Sequence, residues 1–204
     1  VEETITHEFV KYTQQSMVRQ VIYLSGLGGN GDDVSEHMQS RYNVEKQLIA
    51  SDIAYTILRS SIIIGSGSAS FEIIRDVTEK VPVMITPRWL NNMCQPIAIS
   101  DVIYYLIQCI DHPLCLNKLF DIGGPDRLSF KDMIMKLARF RGMKRFIVVT
   151  PFLSLRISSM WLYYFSSVNY SLSKQLVYSM KHDSVCDPTQ NISSVIKRNC
   201  LDYE

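Results

Sequence analysis

Residues 20–25 (Gln-Val-Ile-Tyr-Leu-Ser) form a strand-length run with no polar face, and a glycine-rich segment, residues 26–31, follows at once. A strand apolar on both sides must be covered on both sides, which a parallel sheet between layers of helix achieves. Similar short runs return at residues 55–58, 62–64, 81–85, 96–99 and 118–122. Helix-length segments separate them. Residues 40–51 turn Val44, Leu48 and Ile49 inward, and residues 69–79 form the next helix. Ser100 and Asp101 cap a third that runs to Ile110, and Ser129 caps a fourth that runs to Arg141, with Gly142 as its stop. Strand–helix alternation predicts an α/β fold with a parallel sheet.

Residues 1–17 read as a helix with Val1, Ile5, Phe9, Val10 and Met17 along one stripe. No start signal precedes them, so the chain is expected to open inside an element. Residues from 151 onward read as helical, with an irregular tail after Asp183. A soft boundary near Phe71 divides residues 1–70, a sheet-rich half, from residues 71–204, which complete the sheet and add a smaller, largely helical region.

Charge excludes several classes of partner. With 21 basic and 20 acidic side chains the formal charge is +1, which leaves no footprint for nucleic acid or an anionic membrane. The 204 residues, 47% apolar, suffice for a real core. Five cysteines (Cys94, Cys109, Cys115, Cys186, Cys200) show no CxxC or Cys/His spacing, so no metal site is expected. No leader is visible either, which predicts reduced thiols and a cytoplasmic protein. The most apolar stretch, residues 146–168, contains Pro151, Arg156 and many hydroxyls, and reads as a buried or interface helix pair rather than a membrane span. Its aromatic cluster (Trp161, Tyr163, Tyr164, Phe165) suits a core or a contact in a homo-oligomer. His7, His37, His112 and His182 are scattered and expected at the surface or at caps.

Two motifs carry chemistry. Gly26, Gly28 and Gly31 match the GxGxxG of dinucleotide-binding turns, and a strand precedes them. Asp32 and Asp33 follow, placing negative charge where a diphosphate would lie, and Asp52 precedes its strand instead of ending it. A loop bordering a ligand explains the glycines as well. The second motif is Tyr42-Asn-Val-Glu-Lys46. Four residues apart on a helix, the phenol and the ammonium share a face. A neighbouring cation favours the phenolate, and a phenol so tuned can exchange a proton with an alcohol. Ser25 ends its strand 17 residues earlier, at the sheet edge where open α/β folds bind ligands.

Taken in order, several segments resemble the short-chain dehydrogenase/reductase superfamily in its atypical and extended branches. They are Val21-Ile-Tyr-Leu-Ser25-Gly, Tyr42-x-x-x-Lys46, Tyr55-Thr-Ile-Leu-Arg59, Ile64-Gly65, Gln95-Pro-Ile-Ala-Ile-Ser-Asp101 and Phe120-Asp-Ile-Gly-Gly124. More narrowly, Ser66-Gly-Ser-Ala-Ser-Phe71 and Val83-Met-Ile-Thr-Pro-Arg-Trp89 are similar to NmrA-like and nucleoside-diphosphate-sugar epimerase-like proteins. The resemblance covers residues 1–145.

It implies a Rossmann-like fold, NAD or NADP as cofactor, and Ser25, Tyr42 and Lys46 as the catalytic set, with Lys46 also on the nicotinamide ribose. Ser60, Ser61 and Ile62 would line the nicotinamide, and Leu24, Ser25 and Tyr42 would also contact the cofactor. Phe71, Arg88, Trp89 and Gln95 would face a small-molecule substrate, and Arg59 would fix its strand end. Such proteins place strands, a glycine turn and the residue that selects NAD or NADP ahead of the point where this chain starts, roughly 80 residues judged from βαβ units of about 30. The implied activity is hydride transfer at a carbinol or carbonyl carbon, by an oxidoreductase or an epimerase-like enzyme. The alternatives are a non-catalytic NAD(P)-binding regulator or assembly factor, and a truncated product that binds no cofactor.

Overall fold

A computed structural model describes residues 2–28, 34–150, 175 and 177–203. In chain order the elements are α1 (Glu2–Gln14), β1 (Val21–Gly26), α2 (Glu36–Ile49), β2 (Tyr55–Ser60), β3 (Ile63–Ile64), α3 (Ala69–Lys80), β4 (Val83–Pro87), β5 (Met93–Cys94), β6 (Ile97–Ala98), α4 (Ile99–Gln108), β7 (Lys118–Ile122), β8 (Leu128–Ser129), α5 (Phe130–Phe140) and β9 (Phe146–Thr150).

The expected α/β architecture is present. β1, β2 and β7 lie side by side, all parallel, with β2 in the middle. Being central, β2 buries Ile57 and Leu58 completely. Successive side chains alternate between the two faces of a strand. One face, with Leu24, Leu58 and Phe120, packs on α4 through Val102, Tyr105 and Cys109. The other carries Ser25, Arg59 and Asp121 in register across the three strands. Over that face lies α2, joined to it by an ion pair between Glu45 and Arg59. A second core forms where α3 and α5 pack over Met84, Leu90, Cys94 and Phe130. The shorter pairs are β3 with β6 and β4 with β9, both parallel, and β5 with β8, antiparallel.

Several sequence expectations change. α2 starts at Glu36, not at residue 40, because Ser35 is its N-cap and accepts from the Met38 amide. Its inner face is Met38, Val44 and Leu48, while Ile49 is 48% exposed. In α1 the stripe of Ile5 and Phe9 points outward and Thr6 and Thr13 are buried. Thr13 can be buried because its hydroxyl donates back to the carbonyls of Phe9 and Val10, at 3.0 and 2.8 Å. α4 has Ala98 at its N-cap with no side-chain cap. Asp101 is fully buried and accepts instead from Arg198 Nε at 2.7 Å and the Leu201 amide at 2.9 Å. Residues Phe146–Thr150 are a strand rather than part of a helix pair. They run parallel to β4, pairing Val83 with Phe146 and Pro87 with Thr150, as their aromatic and β-branched side chains favour. Residues 151–168, with the aromatic cluster, lie outside the described residues. No described helix is long and apolar enough to cross a membrane.

The α5 expectation holds in detail. Ser129 and Asp132 form a reciprocal capping box, and Gly142 after the helix takes a φ of +67°. The paired glycines after β7 have a packing reason. A Cβ on Gly123 would come within 2.8 Å of Gln95 and Cys186, and one on Gly124 within 2.5 Å of the Pro96 carbonyl oxygen. Gln95 closes this crossing. Its Nε2 donates to the Gly124 carbonyl at 2.7 Å and its Oε1 accepts from the Cys186 amide at 3.2 Å. The neighbour of Gly124 is backbone and cannot rotate away, so Gly124→Ala is expected to lower unfolding free energy by about 1–3 kcal/mol, read as a fall in the urea midpoint at unchanged slope.

Candidate active site

β1 and β2 end level with each other, with Gly26 opposite Ser60. Beyond this rim the Leu27 amide donates to the Ser60 carbonyl at 2.7 Å, which continues the pairing by one step. From here the chain passes through residues 61–62 and β3 to α3, whose N-cap Ser68 accepts from the Phe71 amide. Between this rim, α2, the start of α3 and the tail lies a cleft of about 390 Å³. β1 contributes Leu24, Ser25 and Gly26, and the β2 end contributes Ser60, Ser61 and Ile62. α2 contributes His37, Met38 and Arg41, and Ser68, Ser70, Phe130, Ser179 and Ser184 complete the wall.

Leu27, Ile63, Ala69 and Met180 also line it, so the wall is largely apolar; serine hydroxyls supply most of its polar groups, and among the described residues no carboxylate is part of it. Ser61 and Ser184 share a hydrogen bond of 2.6 Å, and Ser35 and Ser179 one of 2.9 Å. Among the described residues, Arg41 is the Arg or Lys of the cleft. It donates through Nε to His37 Nε2 at 3.1 Å and through Nη1 to the Leu24 carbonyl at 3.1 Å. Ser25 is 2% exposed, and among the described residues its hydroxyl has no hydrogen-bond partner. A buried hydroxyl without a partner carries a desolvation cost that a ligand oxygen can relieve.

On the α2-facing side of the sheet lies a charged cluster. Arg59 donates from Nε to both carboxylate oxygens of Glu45 at 3.1 Å, and from Nη2 to Oε2. Glu45 is 2% exposed. The Arg59 guanidinium carbon also stands 5.4 Å from the centre of the Tyr42 ring. Half-buried Tyr42 donates its hydroxyl to the Gly28 carbonyl. Burial pushes the phenol above its ordinary value of 10, Arg59 pulls it back, and Glu45 and Asp121 push it further up. Asp121 accepts from the Asp187 amide at 2.8 Å through Oδ2, while Oδ1 is buried without a partner among the described residues. Burial raises its carboxyl above the ordinary 3.8, against the pull of the Asp187 amide and Arg59.

Of the residues expected at the site, the cleft brings together Leu24, Ser25, Ser60, Ser61 and Ile62. Tyr42 and Lys46 are not part of its lining. Lys46 is exposed on α2, and the cation beside the phenol is Arg59. Arg59 does fix its strand end, through Glu45. Phe71 borders a separate hollow of about 150 Å³ with Leu137 and Phe140. Arg88 is exposed on the short 3-10 turn Arg88–Asn91. Trp89 packs edge-on against the cleft residue Phe130, with ring centres 6.3 Å apart. Gln95 is occupied at both ends of its amide, as described above. His37, expected at the surface, is half-buried at the cleft. It and Arg41 were missed because starting the helix at residue 40 hid their four-residue spacing. Gly31, Asp32 and Asp33 of the glycine motif lie outside the described residues.

The five cysteines are free thiols, and burial pushes Cys94, Cys109 and Cys186 up to about 12. Among the described residues no cluster of His, Cys, Asp and Glu could hold a metal ion.

No family model matches the chain. A UDP-glucose 4-epimerase from Vibrio cholerae is 25% identical over 154 residues, covering 65% of this chain and 47% of that protein. The chain thus spans about half the length of that curated relative. Among solved structures, an NADPH-dependent quinone oxidoreductase from Escherichia coli aligns with a TM-score of 0.76 at 15% identity, over 97% of this chain and 70% of that one. A nucleoside-diphosphate-sugar epimerase from Staphylococcus aureus gives 0.66 at 17% identity, over 87% and 58%. A UDP-glucuronic acid 4-epimerase from Bacillus cereus, solved with UDP-glucuronic acid and NAD, gives 0.58 at 16%, over 88% and 67%. The fold is therefore the Rossmann-like one of NAD(P)-binding proteins, in agreement with the resemblance to the short-chain dehydrogenase/reductase superfamily.

The raised carboxyl of Asp121 sets a pH dependence. Its folded-state value lies above its unfolded one, so the protonated form adds stability at low pH that is lost as pH rises through the carboxylate range. Asp121→Asn removes this loss. The stability of the variant relative to the parent should improve from pH 3.5 to pH 7, read from urea midpoints at both values.

Proposed function

We propose that this chain carries the nicotinamide-side and substrate-side part of an NAD(P)-dependent oxidoreductase or sugar-nucleotide epimerase-like enzyme, acting on a carbinol or carbonyl carbon. The observation that carries the reading is the partnerless hydroxyl of Ser25. It lies at the carboxyl rim of a parallel sheet and belongs to a cleft of ligand size. Support comes from solved structures of the same fold that hold NADPH or NAD.

The residues present fit the nicotinamide end of such a cofactor. Leu24, Ser60, Ser61 and Ile62 would line the ring, whereas Lys46, expected on the ribose, is exposed on α2 and outside the cleft. When bound, the cofactor donates or accepts the hydride. Ser25 orients the reacting oxygen with its hydroxyl. Tyr42, released from the Gly28 carbonyl, passes a proton to or from that oxygen. Arg41 and the serine wall hold polar groups of the substrate, and Phe130, backed by Trp89, closes its apolar side.

A second reading, an NmrA-type protein that binds the cofactor without turnover, draws on the Tyr42–Gly28 hydrogen bond and the raised phenol, which keep the proton on Tyr42.

NADPH and NADH are titrated into the protein, followed by nicotinamide fluorescence. Turnover is then assayed with a quinone and with UDP-glucose. Binding is expected, together with a turnover that Tyr42→Phe lowers by about 10²–10⁴-fold while cofactor affinity holds. Binding without turnover selects the second reading. No binding to the folded protein overturns both.

A further inference from the structure

The helical spacing of Tyr42 and Lys46 assigns the tuning of the phenol to Lys46, and the structure puts another cation in that place. The Lys46 side chain is exposed. Arg59 projects from the central strand, on the sheet face that α2 covers, and brings its guanidinium 5.4 Å from the Tyr42 ring centre. Glu45, one turn along from Tyr42, grips Arg59 through two of its nitrogens. Cation, anion and phenol thus form one unit bridging α2 and β2.

We propose that Arg59, held by Glu45, is the positioning residue that orients the Tyr42 phenol and sets its ionisation. The inference rests on the reading of Tyr42 as the acid–base group. Three physical differences favour Arg59 over Lys46. A guanidinium stays charged at any pH a protein tolerates, and its planar fork fits a carboxylate in a fixed orientation. Its side chain is 25% exposed, so solvent and salt screen its field far less than that of a surface ammonium. A cation beside a ring face also attracts the π-system, which holds the ring in place. The charged groups around the phenol are Arg59 from β2, Glu45 and the exposed Lys46 from its own helix, and Asp121 from β7, which Asp187 of the tail faces in turn. Glu45 and Asp121 act against the phenolate, and Arg59 is the cation among the described residues that favours it.

The test is the titration of Tyr42 by NMR on protein labelled at tyrosine Cζ, with Tyr42→Phe identifying its resonance. The phenolate-to-phenol ratio is read at one alkaline pH at which circular dichroism shows every variant folded. Arg59→Met is expected to lower the ratio about tenfold, equivalent to one pKa unit, Arg59→Lys to restore most of it, and Lys46→Met to leave it unchanged. Because Arg59→Met strands a buried carboxylate, the double variant Glu45→Gln/Arg59→Met, compared with Glu45→Gln alone so that the opposing charge is absent from both, keeps the test valid if the single variant does not fold, and the ratio must be lower in the double variant than in Glu45→Gln. A ratio insensitive to the Arg59 changes, or a Lys46→Met effect as large as theirs, overturns the proposal. The titration needs no cofactor and no turnover. If Tyr42 proves dispensable for activity while Arg59 governs its ionisation, the functional reading fails and this one stands; the converse result separates them the other way.

Discussion

The ion pair between Glu45 and Arg59 fastens α2 to the central strand at the height of the sheet's carboxyl rim. Neither charge is well hydrated, so the pair is worth little against an apolar replacement, whereas breaking it costs about 3–5 kcal/mol. Its larger effect is geometric. His37, Arg41 and Glu45 recur every four residues and share one face of α2. Anchoring Glu45 to β2 therefore also fixes where His37 and Arg41 meet the cleft, and Arg41 adds a second tie through the Leu24 carbonyl. The same anchor sets Tyr42 over the guanidinium.

The tail from residue 177 closes the molecule through directed bonds as well as apolar contact. Asp101 receives Arg198 and the Leu201 amide, and Asp121 receives the Asp187 amide. Asn92 donates to the carbonyls of Met180 and Lys181, and Gln95 accepts from the Cys186 amide. Two buried carboxylates and two buried or half-buried amides thus hold an irregular segment against the sheet, and that segment brings Ser179 and Ser184 to the cleft. Buried polar groups of this kind demand partners, and the tail supplies backbone amides and carbonyls that no ladder uses. Two of the buried polar atoms left without a partner among the described residues, Ser25 Oγ and Asp121 Oδ1, belong to one polar row across the strands.

How far the sequence could be read depended on whether its signals were local. α3, β7 and α5 stand within a residue or two of where composition puts them. Ser68 and Ser129 cap their helices from adjacent positions, and a run such as Lys118–Ile122 has one conformation that buries it. Where a distant partner decided, the reading failed. Asp101 looks like a cap because it sits in a first turn, yet its partners lie about a hundred residues away. Ile5 and Phe9 look like a core stripe, but α1 packs against α2 with Thr6 and Thr13 buried and Ile5 and Phe9 exposed. Phe146–Thr150 looks like the start of an apolar helix until β4 offers it a ladder.

The candidate site divides the same way. The sequence alone determined the α/β class, the parallel sheet and the placing of Ser25, Ser60, Ser61 and Ile62 at strand ends, because a strand's apolar pattern and its terminating residues act over a few neighbours. Only the tertiary structure decided that Arg59, not Lys46, stands beside Tyr42, that Gln95 is a clamp, and that His37 and Arg41 face the cleft. Those facts depend on how a helix is rotated over a sheet, and that rotation is held by the buried Glu45–Arg59 pair, the Arg41 bond to the Leu24 carbonyl and the buried Met38, Val44 and Leu48, between segments that the chain does not place side by side.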